Sequence, residues 1–375
     1  MSTRRSLSAL VCALVACRGD SPTALTPVAS VTVAPLSYTA LIAGTVQLQA
    51  TARDTAGSPL PGRPVTWTSS RPSVAAVSGT GFVTALATGA TTITATSEGK
   101  NGATAVTVAP VPAAPSVLVG AGDIASCPPT GAAATAALLD TIPGIVFAAG
   151  DNAYPSGSSS DYANCYAPTW GRHKARTLPA PGNHEYLTAQ ALAYFRYFGA
   201  AAGDPQMGYY SYDLGDWHIV ALNVEIDVSA GSPQEQWLRA DLAATSKRCS
   251  LAYWHQPRFS SGNTHGSLAY VQPLWQAMYD HHATIVVSAH EHNYERFAPQ
   301  TPAGVADPVN GIREFVVGTG GDSHYNFGRP LPNSQVRDNT AFGVLKLTLD
   351  AGSYTWQFIP IAGQTFHDSG GGVCH

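Results

Sequence analysis

The most constraining feature of this 375-residue chain is a series of short apolar runs that each end in a polar loop. Such runs occupy residues 117–119, 145–149, 251–254 and 284–287. Because they lack the alternation of a half-exposed strand, they predict strands that are covered on both faces of a sheet. Helical patterns lie between the runs, at residues 131–140, 187–198, 233–244 and 268–281. The repetition of strand, loop and helix predicts a layered α/β domain.

Five loops that follow such strands carry side chains that bind metal ions in proteins. They contain Asp123, Asp151 with Tyr154, Asn183 with His184, His255, and His290 with His292. Ligands of α/β sheets collect beyond the carboxyl ends of the strands, so we expect these loops to converge. One such loop alone is a common turn or a surface histidine, but five in this order predict a shared metal centre.

Two further patterns concern the second half of the chain. Ser232-Pro233-Gln234-Glu235 has the spacing of a capping box with proline at the first helical position, and it predicts the start of a helix. After about residue 312 the pattern changes to strands only, including residues 342–349 and 354–359.

Residues 28–109 have a different character, because apolar and polar residues alternate in short segments between Gly, Pro and Asp turns. Alternation means one buried and one exposed face, which predicts a small β-sandwich. The segments around 65–70, 72–77, 81–85 and 90–96 resemble the bacterial immunoglobulin-like (Ig-like) domain of group 2. This region contains no cluster of histidines or acidic residues, so we expect it to serve as a spacer or to bind a surface partner.

The N-terminal residues have the pattern of an export signal. Arg4 and Arg5 precede an apolar stretch at residues 7–16, which is too short to span a bilayer as a helix. The stretch ends in Leu-Val-Ala-Cys17, which resembles the lipobox of bacterial lipoproteins, and a plain secretory signal is the alternative. We therefore expect an exported protein, periplasmic or on the cell surface, that contacts the membrane only through a lipid on Cys17.

These patterns divide the chain into five segments. We predict a signal peptide at 1–17, a tether at 18–27, an Ig-like sandwich at 28–109, a Pro/Ala linker at 110–116 and a catalytic domain at 117–375. The formal net charge is −4, only 12% of residues are charged, and no basic run is present. We therefore expect no binding to nucleic acids.

Four cysteines remain outside the signal, namely Cys127, Cys165, Cys249 and Cys374. An even number in an exported chain predicts two disulfides, for which three connectivities exist. We favour Cys127–Cys165, because each follows a metal-loop candidate, and Cys249–Cys374, which would fix the C-terminus to a strand. Free thiols or a zinc site are the alternatives, and the absence of a CxxC pair disfavours zinc.

The loop set of residues 117–300 resembles that of the calcineurin-like metallophosphoesterases and, among them, the purple acid phosphatases. Most of that superfamily has a histidine two residues after the first Asp, where this chain has Ala125. Purple acid phosphatases also lack that histidine, and they have a tyrosine three residues after the bridging Asp, as Tyr154 follows Asp151. The missing histidine and the tyrosine thus occur together in this chain, as they do in that family. The alternative is that Tyr154 has only a packing role. The resemblance implies an α/β fold of four layers, in which two mixed β-sheets pack together and helices flank them.

The resemblance also implies a ligand set for two metal ions. The first ion would be bound by Asp123, Asp151, Tyr154 and His292. The second would be bound by Asp151, Asn183, His255 and His290, with Asp151 as the bridging ligand. Two carboxylates and a phenolate supply three negative charges and a bridging hydroxide a fourth, so a trivalent and a divalent ion leave a net charge of about +1 for an anionic substrate. We therefore expect Fe(III) together with Zn, Fe(II) or Mn(II).

The expected activity is hydrolysis of phosphate monoesters by metal-bound hydroxide, as in an acid phosphatase. His184 is the candidate for protonating the leaving oxygen or binding substrate, and His265 lies where the family has a substrate-contacting histidine. The expected partner is a small phosphate ester. A phosphodiesterase or nucleotidase with the same metal site is one alternative, and a non-catalytic surface-binding protein is another.

Overall fold

The computed structural model describes residues 25–110, 114–128 and 131–375. It divides into two compact units, Met1–Pro112 and Ala113–His375. The predicted signal peptide with Cys17, most of the tether and part of the linker lie outside the described residues. The four-layer architecture and the Ig-like region expected from the sequence are confirmed, and each unit is described by itself.

The first unit is an all-β sandwich. Its strands are β1 (Ser30–Ala34), β2 (Ser37–Leu41), β3 (Thr45–Gln47), β4 (Gln49–Arg53), β5 (Thr66–Ser69), β6 (Ala75–Val77), β7 (Phe82–Ala85), β8 (Gly89–Ser97) and β9 (Lys100–Ala109). They form sheets in the orders β2-β9-β8-β5, β3-β7-β6 and β1-β4. Every second residue of β8 and β9 is buried, so the alternation in the sequence places one face of each strand in an apolar core.

The described residues of the second unit form thirteen strands. They are β10 (Ser116–Ala121), β11 (Ile145–Ala149), β12 (Thr177–Ala180), β13 (Tyr210–Leu214), β14 (Trp217–Ala221), β15 (Cys249–Tyr253), β16 (Ile285–Ser288), β17 (Tyr294–Phe297), β18 (Arg313–Val317), β19 (Ser334–Asp338), β20 (Gly343–Asp350), β21 (Ser353–Pro360) and β22 (Ser369–Val373). Its α-helices are α1 (Ala132–Thr141), α2 (Ser159–Asp161), α3 (Leu192–Phe198), α4 (Pro233–Ala244) and α5 (Gln272–Asp280).

These strands form two mixed sheets. The six-stranded sheet has the order β12-β11-β10-β20-β21-β22, in which β10, β11 and β12 are parallel. The seven-stranded sheet has the order β13-β14-β15-β16-β18-β17-β19, in which β14, β15, β16 and β18 are parallel. All residues of β14, β15 and β16 are buried, as expected for strands covered on both faces.

The sheets pack against each other through one large apolar core. Side chains of the six-stranded sheet, such as Leu118 and Phe147, share this core with Leu251 and Ile285 of the seven-stranded sheet. A second core lies between the seven-stranded sheet and helices α4 and α5. Because both faces of this sheet are covered, its parallel strands are mostly apolar.

The predicted helices are present, with two differences. The pattern at 187–198 gives a helix only from Leu192, because Gln190 and Ala191 have positive φ angles of 52° and 50° that interrupt it. The capping box is half formed, since the Ser232 hydroxyl accepts the Glu235 N–H at 3.3 Å. The Glu235 carboxylate accepts the Gly231 N–H at 3.1 Å instead of the Ser232 N–H. The prediction that this segment starts a helix is confirmed, because α4 begins at Pro233.

Two disulfides join the predicted pairs, Cys127–Cys165 and Cys249–Cys374. The first connects the loop after β10 to the π-helical turn Tyr162–Tyr166, and the second connects β15 to the C-terminus. Disulfides are typical of exported proteins, which agrees with the expected compartment. No helix in the described ranges is both long and apolar enough to cross a bilayer.

Candidate metal centre

Loops at the carboxyl ends of parallel strands in both sheets carry the candidate ligands. β10 ends two residues before Asp123, and β11 ends two residues before Asp151. β15 and β16 of the other sheet end two residues before His255 and His290. The two sheets pack with these ends side by side, so ligands distant in sequence meet.

The backbone at three of these residues has an unusual conformation. Asp123, Asp151 and His290 have φ angles of 57°, 48° and 69°, in the left-handed region that the Cβ atom of any residue except glycine disfavours. Such residues persist only where the surroundings hold them, and they cluster at functional sites. The sharp turn at each strand end directs these side chains towards one another.

Two glycines allow the loops to approach closely. A Cβ atom at Gly182 would lie 2.4 Å from the Asp151 backbone nitrogen, and one at Gly150 would lie 2.5 Å from Nδ1 of His255. Any larger residue at these positions would therefore separate the loops.

The Tyr154 phenol lies at the middle of the first group of ligands. Its hydroxyl is 2.9 Å from Asp123 Oδ1, 3.1 Å from Asp151 Oδ2 and 3.1 Å from His292 Nε2. This placement agrees with a ligand and disfavours the alternative of a packing tyrosine. Burial, followed by the two carboxylates, raises the pKa of this phenol well above its usual value.

Asp151, His255 and His290 form the second group. Nε2 of His255 lies 3.1 Å from Asp151 Oδ2 and 3.2 Å from His290 Nδ1. One ligand-type atom from each residue lies within 4.8 Å of the others, which suits a single metal ion. Nδ1 of His255 hydrogen-bonds to the Ala149 carbonyl at 2.9 Å, so the ring presents its Nε2 to the site.

Asn183 lies next to Gln256, the residue after His255 of the second group. Its Oδ1 accepts a long hydrogen bond of 3.4 Å from Nε2 of Gln256, the residue after His255. The neighbouring His184 N–H donates to Asp151 Oδ1 at 2.9 Å, which keeps the loop of Asn183 against the bridging carboxylate. In the same way, the His290 N–H donates to Asp123 Oδ2 at 2.8 Å.

Two buried glutamates next to the ligands hold the loops in place. Glu185 accepts N–H bonds from Gly182 at 2.8 Å and from Asn152 at 2.9 Å, so it connects two ligand loops. Burial raises the pKa of the Glu185 carboxyl to about 7, and the Asp151 carboxylate adds to the effect. Glu291 accepts the N–H groups of His265 and Gly266 and so fixes the loop that carries His265.

The site concentrates opposite charges in a buried space. Burial lowers the pKa of His255, but Asp151 and Asp123 outweigh it and raise that pKa to about 10. Burial and the neighbouring His255 lower the pKa of His290 to about 3. Burial would raise the pKa of Asp123, yet His292 and His255 hold it far below its usual range. The carboxylates are thus stabilised by a positive charge between them, which a metal ion would supply.

The two predicted catalytic histidines lie on opposite sides of the cluster. The His184 ring packs on Tyr154 with centroids 4.4 Å apart, and its Nε2 is 3.7 Å from Asp151 Oδ2. The His265 ring stacks on His290 at 4.0 Å. Both rings are partly accessible, as groups that meet a substrate must be.

The structure adds residues that the sequence did not indicate. The Tyr325 ring stacks on His292 with centroids 3.9 Å apart, and the Ser323 hydroxyl is 2.7 Å from His292 Nδ1. Gln256 contacts both Asn183 and Glu225. No sequence motif marks Tyr325 or Ser323. For Gln256, the only signal in the sequence was that it directly follows His255.

The donor set fits metal ions. It combines carboxylates, a phenol and imidazoles, which are oxygen and nitrogen ligands of transition metals. In the described ranges no Lys or Arg forms an ion pair with Asp123 or Asp151, whose ionic partners are histidines. Oε1 of Gln256 and Oε2 of Glu291 are buried beside the cluster without a hydrogen-bond partner. A site built for a bound ion explains this combination.

Comparison with known families agrees with the geometry. Residues 27–108 match the bacterial Ig-like domain (group 2), and residues 118–294 match the calcineurin-like phosphoesterase family. The chain therefore carries an Ig-like domain followed by a calcineurin-like metallophosphoesterase domain. Several of the curated proteins that it resembles are described as purple acid phosphatases. Purple acid phosphatase 15 of Arabidopsis thaliana is 28% identical over 195 residues, which are 42% of this chain and 37% of that protein.

Solved structures show the same fold. Purple acid phosphatase PPD1 from yellow lupin seeds has a TM-score of 0.59 at 18% identity and covers 87% of this chain and 67% of its own. GAP50, described as the anchor in the inner membrane complex of Plasmodium, has a TM-score of 0.54 at 12% identity. The match covers 70% of this chain and 90% of GAP50. The matched region of the curated relative is little more than a third of its length, so its activity is not transferred by similarity alone.

Proposed function

We propose that the protein hydrolyses phosphate monoesters at a centre of two metal ions. The observation that carries this proposal is the position of the Tyr154 hydroxyl, within 3.1 Å of Asp123, Asp151 and His292. This position supports the proposal, because the purple acid phosphatase resemblance implies a phenolate ligand there, next to the group of Asp151, His255 and His290.

The arrangement of the loops suggests which ligands would bind each of the two ions. Asp123, Tyr154 and His292 would bind the first, and Asn183, His255 and His290 the second, with Asp151 shared. When bound, the ions would supply Lewis acidity and lower the pKa of a water nucleophile. Three anionic ligands favour a trivalent first ion, Fe(III), with Zn, Fe(II) or Mn(II) as the second.

The protein's own groups would bind and orient the ester. His184 and His265 flank the cluster, so each can reach an oxygen of a phosphate held between them. His184 is the better candidate for protonating the leaving oxygen, because the hydrogen bond from its Nδ1–H to the Pro155 carbonyl at 2.6 Å orients Nε2 towards the site. This bond keeps one proton on Nδ1, so His184 would act as an acid from its doubly protonated form, with the second proton on Nε2. Glu185 and Glu291 fix the loops, so this geometry exists before substrate binds.

Metal analysis combined with a visible spectrum tests the centre. We expect two metal ions per chain and an absorption band from phenolate-to-Fe(III) charge transfer. Tyr154→Phe should abolish the band while the second group of ligands still binds metal. A colourless wild-type protein with full activity would refute the iron assignment, and a chain that binds no metal would refute the centre.

The role of His184 has a separate test. His184→Ala should lower kcat by about a hundredfold or more, the usual contribution of a general acid, with metal content unchanged. His281→Ala, at the end of α5, is the matched control and should keep wild-type kcat. Full activity of the His184 variant would remove this residue from the mechanism.

Two alternatives remain to be separated from this proposal. Comparing an aryl monophosphate with a bis-aryl diester distinguishes a monoesterase from a phosphodiesterase or nucleotidase. A non-catalytic binding role is favoured by GAP50, a neighbour of the same fold that is described as an anchor. The complete set of converging ligands supports catalysis, because a site kept only for binding has no need of them.

The cellular context completes the proposal. We propose that the chain is exported and held at a membrane by a lipid on Cys17, outside the described residues. The Ig-like unit would then serve as a spacer or bind a surface partner. Metabolic labelling with a fatty acid, compared between wild type and Cys17→Ser, tests the anchor.

A further inference from the structure

A groove of about 670 Å³ lies between the segment after β14 and the start of α5. Its walls are mostly apolar and include Ile226, Val228, Ala230, Ala269, Tyr270 and Pro273. Tyr270 is 45% exposed, so its side chain is accessible to a ligand in the groove. The volume is in the range of small-molecule sites in proteins.

The groove lies next to the candidate metal centre. Glu225 directly precedes the groove residue Ile226 and accepts a hydrogen bond from Gln256, which also contacts Asn183. Glu225 and Gln256 therefore form a chain of contacts that connects the groove to Asn183 at the candidate metal centre.

The walls of the groove are fixed before any ligand binds. Nη2 of Arg258 donates to Gln272 Oε1 at 3.1 Å, which connects the loop after β15 to the start of α5. The Ser232 cap holds the other wall, where α4 begins. A preformed apolar groove beside a reactive centre binds the part of a substrate that does not react.

The charges of the groove restrict what it can bind. Among the described residues that line it, Arg239 is the only cation, and Glu235 and Asp280 pair with it. Asp227 and Glu235 are acidic lining residues, and the acidic Glu225 directly precedes the lining residue Ile226. A second phosphate or a carboxylate on the ligand would meet these acidic groups with no free cation to bind it.

We propose that this groove binds the alcohol portion of the phosphate ester and selects substrates whose alcohol is aromatic or apolar and carries no second anionic group. The inference rests on the proposed function, because it assumes that the phosphate of the same molecule lies at the metal centre. It assigns a substrate class, aryl or apolar alkyl monophosphates, rather than sugar bisphosphates or polyphosphates.

Direct binding tests the groove without hydrolysis. 2-Naphthol, the neutral alcohol of such an ester, should bind the metal-loaded protein in a calorimetric titration. Ala269→Trp, which fills the groove, should weaken binding about tenfold or more, since the loss of an apolar contact area of this size has that effect. Ala351→Trp, the same change in the exposed turn between β20 and β21, is the matched control and should bind like wild type.

Kinetics then connect the groove to the reaction. The ratio of kcat/KM for 2-naphthyl phosphate to that for phenyl phosphate should fall about tenfold in Ala269→Trp and in Tyr270→Ala. Comparing the ratio between proteins cancels the intrinsic reactivity of the two esters. Wild type should also prefer phenyl phosphate to 4-carboxyphenyl phosphate, whose extra carboxylate the groove disfavours. Tyr270→Ala keeps the test valid if the Trp variant does not fold.

Each outcome has a distinct meaning. Weaker naphthol binding together with a lower ratio supports the inference. An unchanged ratio in variants that hydrolyse phenyl phosphate would overturn it and leave the phosphatase function standing. If naphthol binds but no ester is hydrolysed, the proposed function fails, and the assignment of the groove to a substrate fails with it.

Discussion

The two units of this chain bury very different residues. The buried polar side chains of the described Ig-like strands are Thr91, Ser97 and Thr104, which carry no charge. The second unit buries at least six carboxylates, Asp123, Asp151, Glu185, Glu291, Glu295 and Glu314, almost completely. All twelve histidines of the chain also lie in the second unit.

This difference separates a fold that only has to be stable from one that has to position charges. An apolar core needs little beyond alternation and packing, and any well-packed sequence satisfies it. Buried charges destabilise a fold unless partners compensate them, so they persist where a function requires them. The comparison predicts that variants of the first unit change stability alone, whereas variants of the second can change activity, stability or their pH dependence.

Asp151→Ala should produce the largest effect. It removes the carboxylate shared by both groups of ligands, so we expect metal content and activity to be lost together, with activity reduced at least about a thousandfold. Asp350→Ala, an exposed aspartate at the end of β20, is the control and should keep both. Loss of activity with both metals retained would contradict the bridging role.

Asp368→Ala should have the largest effect on stability. The Asp368 carboxylate is buried and accepts bonds from Arg296 Nε at 2.6 Å, Tyr294 Oη at 2.7 Å and Trp356 Nε1 at 3.1 Å. Removing it leaves a buried guanidinium without its partner, which costs about 3–5 kcal/mol. In chemical denaturation, only the transition of the second unit should move. A shift in the transition of the Ig-like unit would show that the two do not unfold independently.

Ile93→Ala provides the opposite case in the Ig-like unit. Ile93 is fully buried in the middle of β8, and its truncation should lower the free energy of unfolding of that unit by about 3 kcal/mol. Metal content and kcat should stay at wild-type values. A loss of kcat in this variant would mean that the Ig-like unit contributes to the reaction, contrary to the comparison.

The sequence predicted those parts of the molecule that depend on local pattern. The apolar run at 145–149 coincides with β11, and the loops after β10, β11, β15 and β16 do converge. Both disulfide pairs were also predicted, Cys127–Cys165 because each cysteine follows a candidate metal loop, and Cys249–Cys374 as a bond that fixes the C-terminus to a strand. Periodicity and loop chemistry are local properties, so they can be read without the fold.

The parts that were missed depend on the tertiary structure. Nothing near residues 190 and 191 indicates the left-handed conformations that shorten the predicted helix. Tyr325 stacks on His292 from 33 positions away in the sequence, and Gln256 joins Asn183 to Glu225 across three different loops. The capping box at the start of α4 is also only half formed because of contacts that the spacing does not reveal. The carboxylate of Glu235 pairs with Arg239, one turn further along α4.

The smallest expected effect concerns pH and again separates the two units. His218 on β14 lies between Asp241 on α4, at 2.7 Å, and Asp213 on β13, at 3.0 Å. Burial lowers the pKa of His218, but the hydrogen bonds to Asp241 and Asp213 outweigh it, so the pKa is raised above its ordinary value of 6.5. Asp213 is half exposed, and solvent screening keeps the effect modest.

Because the pKa of His218 is raised in the folded state, the direction in which stability changes with pH can be predicted. The protonated His218 stabilises the second unit fully below the unfolded pKa of about 6.5, and this contribution is lost as the pH rises through the higher folded value. Denaturation at pH 6 and pH 9 should therefore show a smaller pH-dependent loss in His218→Gln than in wild type. Comparing the two proteins, both with metal removed, cancels the titration of the ligand histidines. Residues 28–109 contain no histidine, so the transition of the Ig-like unit should not depend on pH in this range, and an equal shift in both transitions would exclude His218 as the cause.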